Sequence, residues 1–239
     1  MPLDGRTQTL NRLFKDREAL DVVDHTLTQL GQVAMVSSFG AESVVLLHMA
    51  AQVDRNARVV FIDTEMLFPE TLAYQTQVAE ALGLTNVDII RAPRAAVFER
   101  DNENLLHLHD PDACCHLRKT EPLDRALRGV DAWITGRKRH QGGARAALDL
   151  FEVDRPLGQL PRIKVNPLAP WDSDDLRGYI EAHNLPRHPL VAKGYPSIGC
   201  VPCTSPVGHG EDQRAGRWRD QGKTECGIHF GADGVGRST

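Results

Sequence analysis

Apolar residues recur at helical spacing over residues 9–30, at Leu10, Leu13, Phe14, Leu20, Val23, Leu27 and Leu30, and Gly31 stops the run. A short apolar run of strand type follows at Val33–Val36. The small-residue loop Ser37–Ser43 (SSFGAES) comes next, and then an apolar helix from Val44 to Val53. The rhythm repeats. Val59–Ile62 reads as a buried strand closed by Asp63 and Thr64, and Pro69 opens a helix to about Leu82, stopped by Gly83. Val87–Ile90 and Ala132–Thr135 are two more strand candidates and Ile163–Val165 a fifth; Asp172 or Ser173 caps a helix reaching about His183. Strands alternating with helices predict an α/β protein with a parallel sheet flanked by helices. In such sheets ligands sit at the carboxyl ends of the strands. The Ser37–Ser43 loop, Asp63-Thr64 and Gly136-Arg137 each follow a strand directly, so they are expected to converge.

The texture changes after residue 185. Pro186, Pro189, Pro196, Pro202 and Pro206 exclude a long helix, and from 204 onward there is little apolar periodicity. The expected division is a body over 1–204 and a mobile C-terminal tail over 205–239. With 41% apolar and 25% charged residues the 239-residue chain has a soluble balance, and its net charge of −4 suggests neither a nucleic-acid nor a membrane partner. The charged N-terminus lacks an apolar signal core, so a cytoplasmic location is expected. In that reducing setting cysteines serve as metal ligands or catalytic groups rather than disulfides.

There are five cysteines. Cys200 and Cys203 form a C-x-x-C pair, which suits zinc, an iron–sulfur cluster or a redox couple. Cys114 and Cys115 are adjacent, and a disulfide between neighbours strains the intervening peptide. Two pairs supply four thiolates, enough for a tetrahedral zinc or a four-iron cluster; a C-C pair matches the usual zinc knuckle poorly. Cys226 stands apart, near Arg214, Arg217, Arg219, Lys223 and His229. Positive neighbours favour thiolate, which suits a nucleophile.

Two loops read as anion sites. Ser37–Ser43 offers backbone N–H groups and hydroxyls at a helix N-terminus, although it is neither a Walker A loop nor G-x-G-x-x-G. Residues 135–145 place Arg137, Lys138, Arg139 and Arg145 just beyond a strand. Arginine's planar fork suits phosphate and sulfate.

Taken in order, SSFGAES, IDTEMLFPET, CC-x-x-RK, TGRKRHQ, GCVPC, R-x-x-RW and ECGIH resemble the adenylylsulfate (APS) and 3′-phosphoadenylylsulfate (PAPS) reductase family, in particular its bacterial assimilatory APS reductases, over residues 33–230. The resemblance implies an adenine nucleotide α-hydrolase-like fold. It implies a [4Fe–4S] cluster on Cys114, Cys115, Cys200 and Cys203, with Cys226 as nucleophile. Lys119 would lie between cluster and substrate, and Arg214, Arg217 and His229 at the phosphosulfate. Nucleotide contacts would come from Ser37, Ser38, Phe39, Gly40, Glu42, Thr64, Leu67, Arg139, Gln141 and Arg145. The implied reaction converts APS to sulfite and AMP in sulfate assimilation and cysteine biosynthesis. Thioredoxin or a glutaredoxin-like donor would act on an S-sulfocysteine at Cys226; a homo-oligomer is compatible with it. The alternatives are a cluster-bearing PAPS or dual-specificity reductase, a nucleotide pyrophosphatase or tRNA-thiolation enzyme of the same fold, and a zinc-stabilised binding module. Arg137 and Lys138 stand out as cations able to serve a 3′-phosphate.

Overall fold

In the computed structural model, residues 2–219 are described. Two helices, α1 (Leu3–Phe14) and α2 (Ala19–Gln29), open the chain. The single periodic stretch expected over 9–30 is divided by the charged segment Lys15–Glu18, where Arg17 N–H bonds back to Phe14 O. Apolar spacing survives this interruption because both helices bury their apolar side in the same core.

Then follow β1 (Val33–Ser37), α3 (Ser43–Val53), β2 (Val59–Ile62), α4 (Pro69–Leu82) and β3 (Val87–Ile90). Gly83 ends α4 in the left-handed conformation, at φ +66°, as a C-terminal glycine should. A run of short helices comes next: α5 (Arg94–Arg100), α6 (Leu106–His109), α7 (Pro111–Cys115), a π-helical turn at His116–Thr120 and α8 (Glu121–Ala126). The strands β4 (Ala132–Ile134), β5 (Phe151–Asp154) and β6 (Arg162–Val165) precede α9 (Ser173–Ala182). Asp172 caps α9, its carboxylate accepting from the N–H groups of Asp174 and Asp175.

The sheet order is β3-β2-β1-β4-β6-β5, parallel except for β5, which runs antiparallel to β6 at the edge. The buried runs of β1, β2, β4 and β6 match the expected strands. Unpredicted β5 has one buried and three half-buried residues, and its Phe-Glu-Val-Asp sequence lacks the continuous apolar run of a central strand. One face of the sheet packs a large core containing Met35, Phe61, Ile134 and Val165 beneath the helices. The other carries a smaller one of Ala34, Val60, Leu123, Leu127 and Trp133. Chain order reverses between β1 and β4, so a ligand crevice belongs at their carboxyl ends. Among the described residues no helix is long and apolar enough to cross a membrane.

Candidate functional site

A cavity of about 500 Å³ opens at that reversal point. The loop after β1 forms one wall, and it is held by its own hydroxyls: Gly40 N–H donates to Ser43 Oγ at 3.0 Å and Phe39 N–H to Ser37 Oγ at 3.2 Å. Phe39 adopts φ +46°, a region costly for a side chain, and is fixed there by burial edge-on to Phe61 at 5.2 Å. Its side chain therefore belongs to the core, and only its backbone shapes the loop.

The loop after β4 forms the opposite wall. Lys138 is buried and its Nζ lies 2.6 Å from Glu42 at the start of α3. Burial pulls the Lys138 pKa down, and the Glu42 charge opposes that shift. Arg137, also buried, pairs with Glu152 and donates to Asn166 Oδ1 at 3.2 Å. Arg145 pairs with Gln141, and both line the cavity.

The third wall comes from the C-terminal part of the described chain. Ser205–Arg219 turns back on the body: Ser205 N–H bonds Gly216 O at 2.8 Å and Trp218 N–H bonds Cys203 O at 3.1 Å. This return brings Arg214 and Arg217 into the cavity wall. A side chain at Gly199 would collide with the Arg217 guanidinium, so glycine there makes room for it.

Ser37, Ser38, Gly40, Glu42, Thr64, Leu67, Lys119, Gln141, Arg145, Arg214 and Arg217 all line the cavity. Phe39 and Arg139 do not; Arg139 Nε instead donates to Leu148 O at 2.8 Å. His140, Trp133 and Gln213 line it without having been expected as nucleotide contacts, and Lys138, expected only for a 3′-phosphate, lines it too. Only position beyond a strand could have signalled His140; nothing local marks Gln213. Cys226 and His229 lie outside the described residues.

A second, smaller cavity adjoins the first, lined by Cys114, Cys115, Cys200 and Cys203. All four are buried and free of disulfides. The pairs meet because Val201 N–H bonds Met66 O at 2.8 Å, laying Cys200–Cys203 beside the segment after β2, with Thr64 Oγ1 3.2 Å from Cys200 Sγ. Arg118 locks the other pair in place. It is buried, with Nη2 2.8 Å from Asp101 Oδ2 and Nη1 donating to Thr64 O at 3.0 Å. The π-helical turn after Cys115 carries both Arg118 and Lys119, and π turns are frequent at functional sites. Lys119 lines both cavities.

Among the described residues no three His, Cys, Asp or Glu side chains are gathered as a ready-made metal cage. The chemistry of the thiols nonetheless fits a polythiolate-bound cation. Burial pushes the Cys114 thiol up to about 11, and the neighbouring Cys200 and Cys203 add to the shift. Several thiolates in this space require positive charge among them.

Sheet order and cavity position define an α/β protein of the adenine nucleotide α-hydrolase-like class. Within it, the chain belongs to the phosphoadenosine phosphosulfate reductase domain family, whose profile matches residues 32–206. It is 51% identical to an adenosine 5′-phosphosulfate reductase of Chelativorans sp. (strain BNC1), over 84% of this chain and 80% of that one. A Mesorhizobium japonicum protein of the same name is 47% identical, over 92% and 86%. Among solved structures, a PAPS reductase from Candida auris in complex with phosphate aligns with TM-score 0.70 and 28% identity, covering 84% of this chain and 96% of that one.

Proposed function

We propose that this protein reduces adenylyl sulfate to sulfite and AMP in sulfate assimilation. The observation that carries this reading is the cation-lined cavity at the reversal of strand order, joined through Lys119 to the four-cysteine cavity. The names of the two bacterial relatives described above support it.

The substrate is a mixed anhydride of AMP and sulfate, so its sulfur is electrophilic and AMP is a good leaving group. The Cys226 thiolate attacks that sulfur; the S–O bond to AMP breaks and S-sulfocysteine forms. A dithiol of thioredoxin type then attacks Cys226 Sγ and releases sulfite, and its second thiol frees Cys226, supplying both electrons. An anion attacking an anion meets a repulsion of roughly 1 kcal/mol at ~4 Å in water, and several times more in a drier site. Arg214, Arg217 and Lys119 offset it and stabilise the charge developing on the leaving phosphate. His229 is assigned the same role. Cys114, Cys115, Cys200 and Cys203 would hold a [4Fe–4S] cluster, which supplies electrostatic organisation behind Lys119.

Two contacts favour APS over PAPS. The cations best suited to a 3′-phosphate are already matched internally, Arg137 by Glu152 and Lys138 by Glu42. A 3′-phosphate would have to displace these carboxylates or be bound beside them. The test is sulfite release from APS and from PAPS with a thioredoxin donor, together with trapping of the enzyme adduct. Cys226→Ser should bind APS and form no covalent adduct. An adduct persisting in that variant, or turnover of PAPS alone, refutes the reading.

A further inference from the structure

His107 lies on α6, two turns of chain before the cysteine pair, where nothing in the sequence marks it. It faces the small cavity that Cys114, Cys115, Cys200 and Cys203 line. Its Nδ1 is fully buried and has no hydrogen-bond partner among the described residues. The neighbouring polar groups are otherwise engaged: Arg118 bonds Asp101, Thr64 and Asn104, and Thr64 Oγ1 bonds Cys200. A buried ring nitrogen without a partner forfeits the hydrogen bond it makes in water, so native proteins rarely keep one without a use.

We propose that His107 is a positioning residue for the group held by the four cysteines, donating Nδ1–H to one of its sulfur atoms. This rests on the iron–sulfur reading above. A neutral imidazole can present either nitrogen as donor. Thiolates and bridging sulfides only accept, so the tautomer protonated at Nδ1 is the one that matches this wall. Such N–H···S bonds delocalise charge from the sulfurs, and donors around a metal group tune its stability and electronics. The apolar neighbour supports the placement. Leu108, which follows His107 on α6, is exposed, whereas His107 lines the cysteine cavity.

The experiment compares wild-type holoenzyme with His107→Leu, which keeps bulk and loses the donor, and His107→Asn, whose side-chain amide places a donor near the Nδ1 position. All are purified anaerobically, and iron, sulfide and zinc are measured per chain. The rate at which a chelator bleaches the visible absorption is then followed, and resonance Raman Fe–S stretching bands are recorded in H₂O and D₂O. His107→Leu should bleach about fivefold faster and lose part of the D₂O-sensitive shift, and His107→Asn should restore both. Leu behaving as wild type overturns the proposal. Equal loss in Leu and Asn also overturns it, since that is the mark of a purely structural role. Wild-type protein that carries zinc or no iron overturns the iron–sulfur reading itself, and the metal analysis distinguishes that outcome from the others.

Discussion

Asp101→Asn is the substitution whose consequence follows most directly from the structure. Asp101 and Arg118 form a buried pair with side chains 1% and 2% exposed and Nη2 2.8 Å from Oδ2. Asparagine keeps the Oδ1 acceptor that Leu106 N–H uses at 2.9 Å, so this contact at the start of α6 survives. What is lost is the charge and the two Arg118 bonds to Oδ2 at 2.8 and 3.1 Å. With charge centres ~4 Å apart and an effective dielectric of about 20, the lost attraction is about 4 kcal/mol. Arginine cannot shed its proton, so it stays buried and uncompensated, and breaking such a pair typically costs about 3–5 kcal/mol. Glu65 Oε2, 4.0 Å from Arg118, takes up part of the charge and argues for the lower end. At ~2–4 °C per kcal/mol for a chain of this size, the melting temperature should fall by roughly 6–12 °C. Calorimetry of Asp101→Asn, Arg118→Met and the double variant Asp101→Asn/Arg118→Met checks it. The double variant should be less destabilised than the sum of the single ones. A fall under about 2 °C for Asp101→Asn, or strict additivity, would refute the reasoning.

Glu42→Gln removes the carboxylate matched to Lys138, so the ratio of PAPS to APS turnover should rise at least about tenfold, the equivalent of ~1.4 kcal/mol; an unchanged ratio removes the specificity argument. Gly199→Ala should push Arg217 from the cavity wall and lower kcat/KM about 10²-fold with the fold intact. Adding Arg217→Ala should then cost little more, and full additivity would show the two act separately. His188 is buried, accepts Leu190 N–H on Nδ1 and faces Thr71 with Nε2, and burial pushes its pKa down to about 4. The unfolded chain therefore takes up the proton first, near pH ~6.5. Stability from this group is complete above that value and is lost as pH falls toward about 4, by up to roughly 3 kcal/mol. Denaturant midpoints across that window should flatten in His188→Gln; an unchanged slope would assign the pH dependence elsewhere.

Part of this protein is written locally. Central parallel strands are buried on both faces, so β1, β2, β4 and β6 stand out as apolar runs, and the loops that follow them had to gather at one edge. Asp172 announced α9 because a cap is a contact between residues three apart. The division of five cysteines into two pairs and one was equally plain in the sequence, as was the cation-rich stretch 135–145.

What the sequence did not determine is which of those groups meet. Edge strand β5 was invisible because an edge half open to water needs no continuous apolar run. Phe39 and Arg139, read as nucleotide contacts, turn away, one into the core and one onto a backbone carbonyl. Arg137 and Lys138 looked available to a ligand until the sheet brought Glu152 and Glu42 against them. His107 gained meaning only when its buried nitrogen was found at the cysteine cavity. The physical reason is common to all four. Periodicity and caps are energies between near neighbours and can be read along the chain, whereas the partner of a buried charge or polar atom is set by chain reversal and strand order, which bring distant segments together.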